Sequence, residues 1–176
     1  MVASGDRGSV RDDDRRRRAD SSLRAEIPSR PHAAYDRVVI DQENEFGARV
    51  ARHLREEVVV WLTTVSPAGA PLPMPVWFTW DGDATVRMYS RPTARVRNLE
   101  ANRRVSLNFG GNGGGGDIVV LSGGATIERD APGADRDDAY LEKYRSHITR
   151  IGLEPASFAE RYSVPVLIRL KRLRGH

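Results

Sequence analysis

Hydrophobic positions recur with a readable period only from Val38 onward; residues 1–37 show neither a period of 3.6 nor of 2. Phe46, Val50 and Leu54 fall four residues apart with Ala51 beside them, while Arg49, Arg52, Arg55 and Glu56 take the other side, which predicts a helix over Glu43–Glu57. Asn44 suits its N-cap. Val58–Val65 is dense in β-branched residues and reads as a strand buried on both faces. After the turn Ser66-Pro67-Ala68-Gly69, a second strand is expected over Leu72–Trp80. Pro71, Pro73 and Pro75 alternate along its beginning. Proline donates nothing to a ladder, so this part belongs at an edge or an opening. Asp81-Gly82 signals a hairpin into a third strand, Thr85–Ser90.

The same reading continues with a short helix over Ala94–Ala101, capped by Thr93, and a strand over Val105–Phe109. Gly110–Gly116 reads as a flexible connection. Ile118–Leu121 and Ala125–Glu128 make one long strand, with a bulge or kink at Gly123-Gly124. Tyr140, Tyr144, Ile148 and Ile151 lie on one stripe of a helix over Asp135–Ile151, and a short helical turn follows at Ser157–Tyr162. Val164–Leu170 is the closing strand. Tight turns between consecutive strands argue for an antiparallel sheet, and six strands with little apolar–polar alternation argue for closure. The expected class is mainly β: an antiparallel six-stranded β-barrel with peripheral helices. No βαβ repeat appears, which speaks against a Rossmann fold.

Composition changes this picture in a few places. Of 176 residues, 39% are hydrophobic, and the deficit is concentrated in residues 1–37. There Asp12-Asp13-Asp14 runs into Arg15-Arg16-Arg17-Arg18, followed by Pro28 and Pro31. Such a stretch lacks the apolar surface to offset its ordering entropy and is expected to be a disordered tail, with Val38 opening the folded domain, 38–176. The Arg run could touch nucleic acid, but the adjacent Asp run largely neutralises it, so nucleic acid is not an expected partner. No cysteine is present, which excludes disulfides and thiolate chemistry and fits a cytoplasmic location. No apolar run has the length of a membrane span, and the N-terminus has no signal-like apolar core. The net charge is +4, almost all of the positive charge being arginine.

Two segments carry candidate chemistry. In Tyr89-Ser90-Arg91-Pro92-Thr93-Ala94-Arg95-Val96-Arg97-Asn98 a strand ends in hydroxyl residues and turns into a helix beside three arginines. A helix N-terminus attracts anions, and arginine forks match phosphate. The segment is either a phosphate site or an ordinary capped helix with solvated arginines. In Met74-Pro75-Val76-Trp77-Phe78-Thr79, adjacent aromatics point to opposite faces of a strand, so one can join the core while the other lines an opening. That strand could edge a planar ring, or both aromatics could serve packing alone. The glycine loop lacks the terminal Gly-Lys-Ser/Thr of a P-loop and does not enter a helix. His32, His53, His147 and His176 have no metal-ligand spacing and suggest no Ser-His-Asp set. With no acid–base pair in view, any redox or transfer chemistry would come from a cofactor, and no residue is nominated as catalytic.

At these segments the sequence resembles the split β-barrel flavin and deazaflavin proteins, the pyridoxamine 5'-phosphate oxidase-like superfamily, and most closely its actinobacterial F420-dependent branch. The resemblance runs through Phe46-Gly47-Ala48-Arg49-Val50, Trp61–Val65, Pro75–Phe78, Tyr89-Ser90, Arg97-Asn98-Leu99, Asn102 with Val105, and Gly116–Val120, in one order. It implies a homodimer with cofactor sites at the subunit interface, binding coenzyme F420 (alternatively FMN) and acting on a small-molecule substrate. By similarity, the backbone of Met74–Thr79 would edge the ring. Ser90, Thr93, Arg95 and Asn98 would lie near the phosphate, with Tyr89 adjoining them and Arg91 and Arg97 farther off. Arg95 stands where relatives usually carry lysine, which keeps the charge and changes the reach. Leu173 stands where relatives often carry tryptophan. Vitamin B6 oxidases carry basic residues at the positions of Met74 and Thr79; their absence argues against B6 chemistry and favours F420 over FMN.

Overall fold

A computed structural model describes residues 38–176. The expected tail, 1–37, lies outside the described residues. Helix α1, Glu45–Glu56, begins two residues later than the expected Glu43, at the expected cap: the Asn44 side chain accepts the Gly47 N–H at 2.7 Å. Its apolar stripe, Val50, Ala51 and Leu54, is buried. Seven strands follow, interrupted by helices: β1 Val60–Val65, β2 Pro71–Val76, β3 Thr79–Trp80, β4 Thr85–Ser90, helix α2 Ala94–Ala101, β5 Arg104–Asn108, β6 Val119–Ile127, helices α3 Asp138–Arg150 and α4 Pro155–Arg161, and β7 Val164–Gly175.

All strand pairs are antiparallel, in the order β2-β1-β5-β6-β7-β4-β3. The two outermost strands, β2 and β3, are neighbours in the chain, joined only by Trp77 and Phe78. A link of that length spans about 10 Å at most. The sheet therefore has to curl until its edges approach one another, which produces a barrel split along the β2/β3 seam. The inner face carries Val60, Leu62, Val86, Met88, Leu107, Leu121, Ile168 and Leu170, all buried around α1.

Several expectations need correcting. The strand read as Leu72–Trp80 is two strands, broken at Trp77-Phe78, so the count is seven rather than six. The reason is a tertiary contact. The Tyr144 hydroxyl lies 2.9 Å from the Phe78 N–H and 2.8 Å from both the Phe78 and Val58 carbonyls, replacing the ladder partners lost at the break. β1 is not buried on both faces: it alternates, with Val60, Leu62 and Thr64 inward and Trp61 42% exposed. The helix expected from Asp135 starts at Asp138, because Asp137 accepts the Tyr140 N–H and caps it there, leaving a 3-10 turn at Ala134–Arg136. β7 runs on to Gly175 rather than stopping at Leu170, because it continues to pair with β6 as far as Val119. Other readings hold. β2, with its three prolines, is an edge strand. The bulge in β6 falls at Ser122/Gly123, where a side chain on Gly123 would meet the Arg169 carbonyl oxygen at 2.3 Å.

The glycine connection leads to β6 and not to a helix. It wraps around Asn112, whose side-chain oxygen accepts the N–H groups of Gly114 and Gly116. It ends on Asp117, a non-glycine residue at φ 56. Three side chains of α1 hold that carboxylate: Arg49 at 3.6 Å, Arg52 at 3.3 Å and the buried His53 at 3.1 Å. The hydrogen bond from His53 and the charges of His53 and Arg52 keep the Asp117 carboxyl below its ordinary range.

Tyr144→Phe removes one hydroxyl and leaves the buried N–H and carbonyl of Phe78 short of a partner, together with the more exposed Val58 carbonyl. The expected loss of unfolding free energy is about 1–3 kcal/mol. Equilibrium denaturation with urea measures it, and a variant as stable as the parent would show that the seam is held by other contacts.

Candidate functional site

The break between β2 and β3 also sorts two aromatics. Phe78 is buried in the barrel core, whereas Trp77 swings into a second cluster formed by α3 and α4. There Tyr144, Trp77, Phe158 and Tyr162 stack in series. The Trp77–Tyr144 centroids are 4.9 Å apart at 5°, Trp77–Phe158 5.5 Å at 14°, and Phe158–Tyr162 4.4 Å at 16°. Trp77, Phe158 and Tyr162 of this stack form one wall of a cleft of about 670 Å³. The opposite wall comes from the inner side of β2 and from α2, with Thr64 of β1 between them.

The cleft brings together most of the residues singled out in the sequence. Met74, Pro75, Val76, Trp77, Tyr89, Arg91, Thr93, Arg95 and Asn98 line it. Four others do not. Phe78 lies in the core, and Thr79 pairs with Arg87 of β4. Ser90 is fully buried behind the wall, and Arg97 is exposed. Sequence reasoning missed Tyr140, Phe158 and Tyr162 as lining residues. Tyr140 belongs to a helix stripe, and Phe158 and Tyr162 fall in a short helical turn; neither pattern tells a core position from a cleft wall.

Arg95 is the electrostatic centre of this arrangement. Its guanidinium donates to the Ser90 hydroxyl at 3.4 Å, and among the described residues it has no carboxylate partner. Other arginines do: Arg49 with Glu45, Arg87 with Asp137, and Arg129 with Glu100. Burial lowers the affinity of Arg95 for its proton, with the nearby Tyr162 phenol acting the other way. Such a group stays charged and gains from an incoming anion. Thr93 occupies the N-cap of α2 but makes no capping bond with its side chain. The N–H groups of Ala94 and Arg95 have no acceptor among the described residues, so they and the Thr93 hydroxyl are free to bind. Asn98 behaves differently: its amide donates to the Thr64 hydroxyl at 3.1 Å and fastens α2 to β1.

The tyrosine hydroxyls on and behind the aromatic wall are mostly engaged. Tyr89 donates to the Asp137 carboxylate at 2.9 Å, and Asp137 also faces Arg87 at 3.6 Å. Tyr144 serves the seam. Burial raises the proton affinity of Tyr89, Tyr140 and Tyr144 well above that of free tyrosine, and Asp137 adds to the effect on Tyr89. The wall is therefore uncharged, apart from the Asp137–Arg87 pair beneath it. The cleft joins a flat aromatic surface to a cationic end, a form suited to a planar ring with an anionic substituent.

These tyrosines set an alkaline limit. Their folded-state values lie above the unfolded value of 10.0, so their contribution to stability is complete below that pH. It is lost as pH rises above about 10 and the unfolded chain releases protons that the folded chain retains. Melting temperature should fall across this window. A flat profile would mean that the phenols ionise freely in the folded protein.

Residues 46–167 match the profile of the pyridoxamine 5'-phosphate oxidase family. Three solved structures have the same fold. A candidate pyridoxamine 5'-phosphate oxidase from Listeria innocua is 19% identical, with TM-score 0.54, covering 74% of this chain and 97% of its own. A protein named F420 reductase is 24% identical, with TM-score 0.51, covering 70% and 94%. An FAD-binding protein from Mesorhizobium loti is 21% identical, with TM-score 0.52, covering 72% and 88%. At these identities the likeness concerns the fold. None of the curated proteins compared with the chain matches it.

Proposed function

The chain belongs to the pyridoxamine 5'-phosphate oxidase family, and from that membership and the form of the cleft we propose that it is an F420-dependent oxidoreductase acting on a small organic substrate. The observation that carries this reading is Arg95, a half-buried cation without a carboxylate partner among the described residues, beside a wall of stacked rings. When bound, the deazaflavin supplies hydride transfer to or from an electron-poor partner. The chain does the rest. Arg95, the free N–H groups of Ala94 and Arg95, and the Thr93 hydroxyl hold the phosphate. Trp77 and the Met74–Val76 edge orient the ring. The aromatic wall excludes water from the reacting face. Ser90 contributes by holding the Arg95 guanidinium rather than by touching the ligand.

FMN is the second reading, because Arg95 would meet the phosphate common to both cofactors. Met74 favours the deazaflavin: an apolar side chain stands at the lip of the cleft where vitamin B6 oxidases carry a basic one. Leu72, Met74 and Ile151 are exposed apolar residues on the rim, and they support a homodimer whose second subunit covers it.

Equilibrium titration with F420 and FMN tests the assignment. F420 should bind more tightly, and Arg95→Ala should weaken it by about 10- to 100-fold, the scale of a charge-assisted hydrogen bond. Wild-type affinity in Arg95→Ala would end the phosphate assignment. Tighter binding of FMN would move the protein to the flavin branch. Binding without reoxidation by any substrate would make it a carrier.

A further inference from the structure

One fully buried hydroxyl on the cleft wall has no protein partner among the described residues. Tyr140 lies in α3 with its side chain 0% exposed and its hydroxyl unbonded among the described residues. Its neighbours differ. The Tyr89 ring packs edge-on against it at 4.8 Å while its hydroxyl donates a hydrogen bond to Asp137, and the Tyr144 ring lies 4.7 Å away with its hydroxyl on the seam. The hydroxyl has no exposed surface, so solvent does not satisfy it. A phenylalanine would fill the same aromatic space without that desolvation cost. Burial keeps the phenol protonated, so it can offer a hydrogen. Tyr140 is also a lining residue of the cleft that holds Arg95.

We propose that the Tyr140 hydroxyl is a ligand-binding donor, which gives its hydrogen to an acceptor oxygen of the molecule held in the cleft. This rests on the reading that the cleft takes a planar ring with a phosphate. Both parts of such a ligand present acceptor oxygens: carbonyls on the ring and oxyanions on the phosphate. The ligand approaches from the cleft, which Tyr140, Phe158 and Tyr162 line, and the side chains over the hydroxyl shift to admit its acceptor oxygen. The cost of an unbonded hydroxyl in the free protein is then recovered on binding.

The experiment compares the full-length wild-type protein with Tyr140→Phe in two measurements. In the ligand-free protein, Tyr140→Phe should melt at the wild-type temperature or above, opposite in sign to Tyr144→Phe. A fall like that of Tyr144→Phe would show that the hydroxyl has a structural partner and would overturn the proposal. In titrations with F420, FMN and riboflavin, the variant should bind about 5- to 30-fold more weakly, the scale of one neutral hydrogen bond to a ligand. Loss with riboflavin as well as FMN places the acceptor on the ring. Loss confined to the phosphorylated ligands places it on the phosphate. Unchanged affinity for ligands that the wild type binds would overturn this proposal and leave the cofactor reading standing. Failure of the wild type to bind any of the three would overturn both.

Discussion

Two residues between the outermost strands govern this architecture. Because Trp77 and Phe78 alone connect β2 to β3, the sheet cannot stay open, and its edges are drawn to the same place. A continuous strand would have bonded through that point. The break instead leaves backbone groups that need partners, and Tyr144 of α3 supplies them. The hydroxyl that closes the seam also fixes α3 against it. That brings the stripe of Tyr140 and Ile148 beneath Trp77 and sets the second core beside the first. The cleft is the space left between these two cores, so its position follows from the seam.

Charge is distributed around that space unevenly. Asp137 caps α3, receives the Tyr89 hydroxyl and faces Arg87, so one carboxylate serves three neighbours. Asp117 does the same for Arg49, Arg52 and His53, and holds the end of the glycine loop against α1. At both places cation and anion meet within the protein. Arg95 departs from this pattern, since burial has removed part of its water without bringing it a carboxylate among the described residues. A site that keeps a desolvated cation unpaired carries a standing cost that a bound anion relieves.

Local patterns in the sequence were legible where local physics decides the outcome. Asn44 caps α1, Pro71, Pro73 and Pro75 mark an edge, Gly123 marks the bulge, and β4 and α2 have the bounds expected of them. The readings that failed depended on distant partners. Nothing between Leu72 and Trp80 announces a break, because the hydroxyl that stabilises it lies 66 residues farther along the chain. Trp61 looked like a core residue since composition cannot tell the two faces of a short apolar strand apart. Of the candidate site, the Arg95 segment and the Met74–Trp77 edge were visible because their chemistry is contiguous. The aromatic wall was hidden, because Tyr140 on α3 and Phe158 and Tyr162 at α4 are distant in sequence from those segments and read locally as ordinary helix packing.

Distant partners also decide why hydroxyls in one cluster take different roles. Tyr89, Tyr140 and Tyr144 lie in a single cluster and are all desolvated. What separates them is the backbone and carboxylate geometry each one meets. Tyr144 reaches a broken ladder, and Tyr89 reaches the carboxylate that caps α3. Both are held by demands of the fold, and substituting either disturbs structure before it disturbs binding. Tyr140 meets neither demand among the described residues. Its ring is needed to fill the cluster, but its oxygen is not needed for packing, and a polar atom that folding does not use is open to selection by a ligand.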